Sequence, residues 1–223
     1  MIPLIRTQEE YPAAPAKRAE PLGDMRFRAL LSAEEWAALP PATRRRFSHR
    51  VAAGDSVVYT SRNVETVMSR FGFLFAQVAR FVGAPLPTEP GSGLAGAVTV
   101  TEDYRTGGQH WTRLIVRRGG FPQMIHSSKR FSGPTGLEEY IGKGVGVALA
   151  LSVEEGALAF RSAHYFLQLF GQRWRLPHWL APGALSVTHR DLGGGKFLFT
   201  LDVSHPLLGQ MIGQRGVYEE TVS

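Results

Sequence analysis

The sequence predicts an α+β protein in which N-terminal helices pack on a large curved antiparallel β-sheet, half-barrel or barrel-like. Three observations support this. Capping and proline signals mark helices only in the first third of the chain. β-rich runs joined by glycine turns fill the remainder. No stretch after Gly93 has the length and period of a crossover helix, so neighbouring strands run antiparallel.

Residues 1–24 carry Pro3, Pro12, Pro15 and Pro21 among mixed charges and are expected to form a flexible arm, with residues 25–223 as one domain. Ser32 and Glu35 have capping-box spacing, so a short helix is expected to begin there, with Leu30, Leu31, Trp36 and Leu39 as its apolar side. Pro40 stops it, and Pro41 suits the first position of a second helix through Arg44, Arg45 and Arg46. Ser56 to Thr60 is ambiguous between strand and loop.

A longer helix is expected from Asn63 to Val82. Val64, Val67, Met68, Phe71, Phe75, Val78 and Val82 recur at steps mostly of three and four, and Gly83 can end it. Phe71 and Phe75 are assigned to the core. Pro85, Pro87 and Pro90 then make a stiff connection.

Strands follow at Ala97 to Thr101, His110 to Arg118, Phe121 to Phe131, Val145 to Val153, Ala157 to Leu169, Leu185 to Arg190, Lys196 to Ser204 and Met211 to Tyr218. Turns at Gly107-Gly108, Gly119-Gly120, Gly156 and Gly193 to Gly195 connect them. From Val145 to Val153, bulky residues alternate with small ones, as in a strand covered closely on both faces. A sheet of roughly eight or nine such strands curls, closes or splits.

Composition excludes several chemistries. With no cysteine there is no disulfide, thiolate nucleophile or Cys-ligated metal. The 25 cations are 21 Arg and 4 Lys, an imbalance read as coding bias rather than as a clue to partners, although the net charge is +6. No Asp or Glu occurs from Tyr104 to Leu137, where Arg105, Arg113, Arg117, Arg118, Lys129 and Arg130 fall. That stretch offers a nucleic-acid surface as the weaker alternative, and nucleic acid is not the expected partner. The longest apolar window is too short to span a bilayer and no signal segment is recognised, so a soluble cytoplasmic protein is expected. Gly142 to Gly146 precedes a strand and lacks the phosphate-loop Lys-Ser/Thr pair, which argues against nucleotide. The seven histidines show no metal spacing and are read as surface or capping residues, with no metal and no cofactor implied. Glu138-Glu139, Glu154-Glu155 and Glu219-Glu220 are read as solvent-facing turn charges.

Polar residues inside strand patterns are the remaining candidates. Trp111 and Arg113 share a face; Arg161 shares one with Tyr165, and His164 shares the opposite one with Phe160 and Phe166. Asp202 shares a face with Leu198 and Thr200. A cation among apolar strand residues must be paired, stacked or ligand-directed. Arg113 has Trp111 as a stacking partner or Asp202 as an ion-pair partner, and otherwise anchors a ligand. The function favoured is a non-catalytic module binding a small apolar or amphipathic molecule, such as a lipid or fatty acid. Its wall would be Trp111, Phe160, Phe166, Phe197 and Phe199, with Arg113 or His126 at the polar end. The alternative is a small-molecule enzyme using His126, His164, Tyr165 and Asp202 as acid–base groups in that cavity.

Several stretches taken together resemble a known family. They are Trp36 to Pro41, Trp111 to Arg113, Gly156 to Phe160, Leu176-Pro177 with Leu180 to Pro182, and Gly195 to Asp202 running into Pro206 to Gly209. They are similar to the bacterial domain of unknown function 4166, over roughly residues 26–218. The resemblance implies no catalytic residues. Some relatives are fused behind dinucleotide-binding oxidoreductase domains, which implies a separate oxidoreductase as a possible partner of this chain. The segment Phe121 to His126 departs from the arginine-rich aromatic strand of those relatives.

Overall fold

The computed structural model describes residues 22–51, 54–81, 83, 86–87 and 90–221. The N-terminal portion begins with β1 (Leu22–Gly23), followed by α1 (Ala33–Ala38), α2 (Pro41–Phe47) and β2 (His49–Arg50). Residues 1–21 of the expected arm lie outside the described residues, whereas Leu22 and Gly23 pair with Arg50 and His49. The capping box is present: the Glu35 amide donates to Ser32 Oγ at 3.1 Å, and the Ser32 amide donates to Glu35 Oε2 at 2.9 Å. Pro41 occupies the first turn of α2.

The rest is antiparallel β: β3 (Ser56–Met68), β4 (Gly91–Asp103), β5 (Gly108–Ile115), β6 (Gln123–Arg130), β7 (Glu138–Tyr140), β8 (Val145–Glu154), β9 (Ala157–Leu169), β10 (Gln172–Arg175), β11 (Ala184–Gly193), β12 (Lys196–His205) and β13 (Gly209–Glu220), interrupted by α3 (Arg70–Phe81). Pairing runs β9-β11-β12-β13-β3-β4-β5-β6-β7-β8 and returns to β9, so ten strands close a barrel. Of the expected half-barrel or barrel-like forms the sheet takes the closed one, and helices are a minor part, so the α+β description holds only in part.

The barrel seam lies beside β9. It pairs with β11 only over Leu158 to Arg161, then continues as a hairpin with β10. Residues 176–183 cover the gap: the Leu176 amide donates to the Tyr165 carbonyl at 2.9 Å, and Leu176 and Ala181 pack on the core. Close packing elsewhere uses glycine. A Cβ on Gly146 would stand 2.3 Å from the Phe166 ring, which lies over it from β9. This explains the glycine at that position of β8.

The expected helix from Asn63 to Val82 is corrected. Residues 63–68 belong to β3, and the helix starts at Arg70; Val82 lies outside the described residues. Two register shifts, between Ser61 and Val64 and between Val64 and Thr66, break the period-two alternation of β3. The inward face passes from Tyr59 and Ser61 to Val64 and Thr66, and the exposed Val67 gives the apolar residues their helical spacing. Gly83 does cap α3, with φ +75° and its amide bonded to the Arg80 carbonyl at 3.0 Å.

The assignment of Phe71 to the core is also corrected. The buried face of α3 is Gly72, Ala76 and Ala79, while Phe71 (54%) and Phe81 (85%) are exposed. The helix backbone lies so close to β13 that a Cβ on Gly72 would stand 1.9 Å from the Met211 carbonyl oxygen. Small residues must occupy that contact, so the bulky ones turn outward. Phe75 packs against the cluster of Val203, Met211 and Ile212.

Candidate functional site

Antiparallel order puts α2 at one end of the barrel and α3 at the other. At the α2 end, the chamber wall takes Tyr59 from β3, Trp111 from β5, Lys129 from β6, His189 from β11, Phe197 from β12 and Tyr218 from β13. At the α3 end it takes Ile125, Val147, Tyr165, Leu185, Leu201, Val203 and Gln214 from the opposite halves of their strands, with Phe75 and Ala79 from α3. Arg113, Glu139 and Val187 belong to both walls, so a charged layer stands where an upper chamber adjoins a lower one.

Within that layer, Glu139 is the only acid lining either chamber among the described residues. Its Oε2 stands 3.1 Å from Lys129 Nζ and its Oε1 3.9 Å from Arg113 Nη2, and Ser127 Oγ donates to Oε1 at 2.6 Å. Burial disfavours its charge, but Lys129, Arg113 and the Ser127 hydroxyl outweigh burial and hold its pKa at about 2. Burial is the largest influence on Lys129, followed by attraction from Glu139 and repulsion from Arg113, with a net lowering of its pKa. Both cations also rest on rings: Lys129 Nζ is 4.8 Å from the Trp111 ring and Arg113 Cζ is 5.6 Å from Phe199.

The upper chamber is small, about 30 Å³ counted as space for the centre of a water molecule. Arg46 enters it from α2, with Cζ 4.3 Å from the Phe197 ring. His189 stacks on that ring at 4.1 Å and meets Phe47 edge-on at 5.1 Å. Arg46 Nε and Nη1 and both ring nitrogens of His189 are buried without a hydrogen-bond partner among the described residues. Burial, and then the nearby Arg46 charge, lowers the His189 pKa to about 3, so the ring is neutral near pH 7.

The lower chamber is larger, about 90 Å³ on the same measure, and its wall is mainly aliphatic. At about 10–15 Å³ per water centre this is roughly six to nine water-sized positions. A volume of that order suits a short apolar chain.

The candidate residues divide between the two faces of the wall. Trp111, Arg113, Phe160, Phe197 and Phe199 line the upper chamber, and Arg113, His126 and Tyr165 border the lower one. His126 is nevertheless exposed. Phe166 is buried away from both chambers beneath Arg173, whose Cζ is 3.7 Å from its ring. His164 and Asp202 line neither chamber, and Asp202 Oδ1 accepts from Gln210 Nε2 at 2.6 Å. The four proposed acid–base groups are thus not assembled in one cavity. The ion-pair partner of Arg113 is Glu139 rather than Asp202, and its ring partner is Phe199 rather than Trp111.

Three other expectations are corrected. Glu138 and Glu139 are buried, not solvent-facing; they point to opposite sides of β7, and Glu138 pairs outside the barrel with Arg173 and Ser132. His189, expected at the surface, is 4% exposed. The acid-free segment forms no single basic face, because Arg113 and Lys129 point inward while Arg105, Arg117 and Arg118 are exposed. Arg46, Lys129, Glu139 and His189 are among the interior polar residues that sequence reasoning missed. Parity carried part of the signal: Lys129 is in step with Ile125 and Ser127, and His189 with Leu185 and Val187.

Among the described residues, no helix is long and apolar enough to cross a membrane, and no group of three His, Asp or Glu side chains converges on a metal position. No curated protein matches the chain. A crystal structure of a candidate thioesterase II from Thermobifida fusca is 9% identical, covering 75% of this chain and 79% of that one, with a TM-score of 0.24, too low to carry an argument. The family described as domain of unknown function (DUF4166) matches residues 39–218, including the barrel strands, both chambers and the Arg46 end of α2. The chain belongs to the DUF4166 family.

Proposed function

We propose that this protein is a binding module that holds one small amphipathic molecule inside the barrel. The observation that carries the reading is the apolar lower chamber abutting a layer of buried charge, Arg113 and Glu139, which gives an occupant an apolar and a polar end. Binding is favoured over catalysis because, of the four proposed acid–base groups, only Tyr165 and the exposed His126 border a chamber, while His164 and Asp202 line neither. A cytoplasmic location and a separate oxidoreductase as the protein partner complete the proposal, the latter resting on the family resemblance alone.

Native mass spectrometry of protein purified without detergent tests the ligand. A one-to-one adduct with an apolar or amphipathic molecule is expected. After delipidation, the neutral fluorophore N-phenyl-1-naphthylamine is expected to bind at one saturable site. Repeated absence of an adduct, together with no saturable uptake of the fluorophore, would overturn the reading.

A further inference from the structure

We propose that the upper chamber receives the carboxylate of an amphipathic acid, with Arg46 and His189 as its hydrogen-bonding partners and the apolar part of the molecule in the lower chamber. The inference rests on the ligand-binding reading above and adds the chemical class of the ligand.

Three observations converge on it. The first is unsatisfied polarity. Arg46 Nε and Nη1 are buried with no partner among the described residues, and so are Nδ1 and Nε2 of His189, a side chain almost wholly buried. Buried donors left unpaired are costly, and both residues line the same small chamber, where an acceptor would satisfy them. The guanidinium supplies N–H donors and the neutral imidazole one more.

The second is charge. Three cationic side chains, Arg46, Arg113 and Lys129, line the upper chamber against one carboxylate. Glu139 is already committed to Lys129 and Ser127, so its charge is not available to Arg46. An incoming anion supplies the missing negative charge where the low dielectric strengthens the attraction.

The third is size. About 30 Å³ accommodates roughly two to three water positions. The two oxygens of a carboxylate fit that space, whereas the four of a free phosphate exceed it. The surrounding rings of Tyr59, Phe197 and Tyr218 exclude water from the pair. Arg46 and His189 both pack on the Phe197 ring and both line the chamber, and Phe47, next to Arg46 in the chain, meets the imidazole edge-on.

The test uses the full chain after delipidation and measures binding of octanoate, octanol and octylamine by displacement of N-phenyl-1-naphthylamine at pH 7.5. Octanoate is expected to bind at least tenfold more tightly than octanol, and octylamine more weakly than either. In Arg46→Met the ratio of octanoate to octanol affinity should fall below threefold. His189→Phe, which keeps a ring against Phe197, should lower the ratio about threefold and serves if Arg46→Met fails to fold. Equal binding of octanoate and octanol by the unaltered protein would overturn this inference while leaving the ligand-binding reading intact. A ratio unchanged in both variants would also overturn it, because the charge would then be read elsewhere. Failure of both octanoate and octanol to displace a fluorophore that binds saturably would likewise overturn this inference alone, whereas absence of both a co-purifying adduct and saturable fluorophore uptake would remove the ligand-binding reading and the inference with it.

Discussion

Replacing Glu139 by Gln isolates the charged layer at the centre of the barrel. The carboxylate lies between Lys129 Nζ at 3.1 Å and Arg113 Nη2 at 3.9 Å, and all three side chains are nearly inaccessible to water. The amide preserves volume and can still accept from Ser127, but it leaves two cations buried without a counter-charge. Removing one partner of a buried ion pair costs about 3–5 kcal/mol. Because the hydrogen bond to Ser127 can survive, the expected loss is at the lower end, about 3 kcal/mol. For a chain of this size that corresponds to a fall in Tm of roughly 6–12 °C. Urea and thermal unfolding followed by circular dichroism measure it. A cycle with Lys129→Met separates the pair from its surroundings, since removing the lysine relieves part of the repulsion that Glu139→Gln creates. The double variant should therefore lose at least about 1 kcal/mol less than the sum of the single losses. A single-variant loss below about 1 kcal/mol, or strict additivity in the cycle, would refute the claim that Glu139 neutralises this layer.

Other consequences are equally measurable. The His189 pKa is about 3 in the folded protein against 6.5 unfolded, so the unfolded chain binds the extra proton between those values and stability falls as pH drops from 6.5 towards 3. About 2 kcal/mol should be lost by pH 5, and His189→Phe should remove that loss; the same slope in the variant would contradict it. Glu139, held at about 2 against 4.5, adds a further loss in the same direction as pH falls below 4.5. Phe71→Ser and Phe81→Ser should each change stability by less than about 0.5 kcal/mol, whereas Gly72→Ala, whose Cβ would meet the Met211 carbonyl oxygen at 1.9 Å, should cost more than about 2 kcal/mol. The reverse order in urea titrations would mean that α3 presents its other face to the barrel. Gly146→Ala should cost about 1–3 kcal/mol by displacing the Phe166 ring, and a melting curve unchanged from the unaltered protein would argue against that contact.

The parts of the fold legible in the sequence are those set by local rules. The Ser32–Glu35 capping box, Pro41 at the start of α2 and the hairpin turn at Gly193 to Gly195 each follow from chemistry within a few residues. The span of β9, Ala157–Leu169, was legible because Gly156 supplies a positive φ before it. The course of residues 63–68 was not, because Val64, Val67 and Met68 fall at helical steps although Val67 is an exposed residue of a strand whose inward face changes at the shift after Ser61. Nor was the orientation of α3, since a helix normally buries its larger apolar face, and only the approach to Met211 explains why Gly72, Ala76 and Ala79 are buried instead.

The candidate site was legible in kind more than in membership. Trp111, Arg113, Phe160, Phe197 and Phe199 share one chamber because strand parity places them inside. Arg46 was out of reach because its entry depends on how α2 docks on the barrel end. Glu139 sits beside Glu138 in a three-residue strand, too short for parity to reveal that one carboxylate faces the interior and the other an arginine outside.

The central claim is that an amphipathic molecule sits within the barrel, and methyl-resolved NMR tests it most directly. Titrating octanoate into protein labelled at Leu and Val methyls should shift Leu185, Val187, Leu201 and Val203, which line the lower chamber, and leave exposed Leu74 and Leu207 unmoved. Shifts confined to Leu74, Val78 and Leu207, or no saturable shift at all, would contradict it.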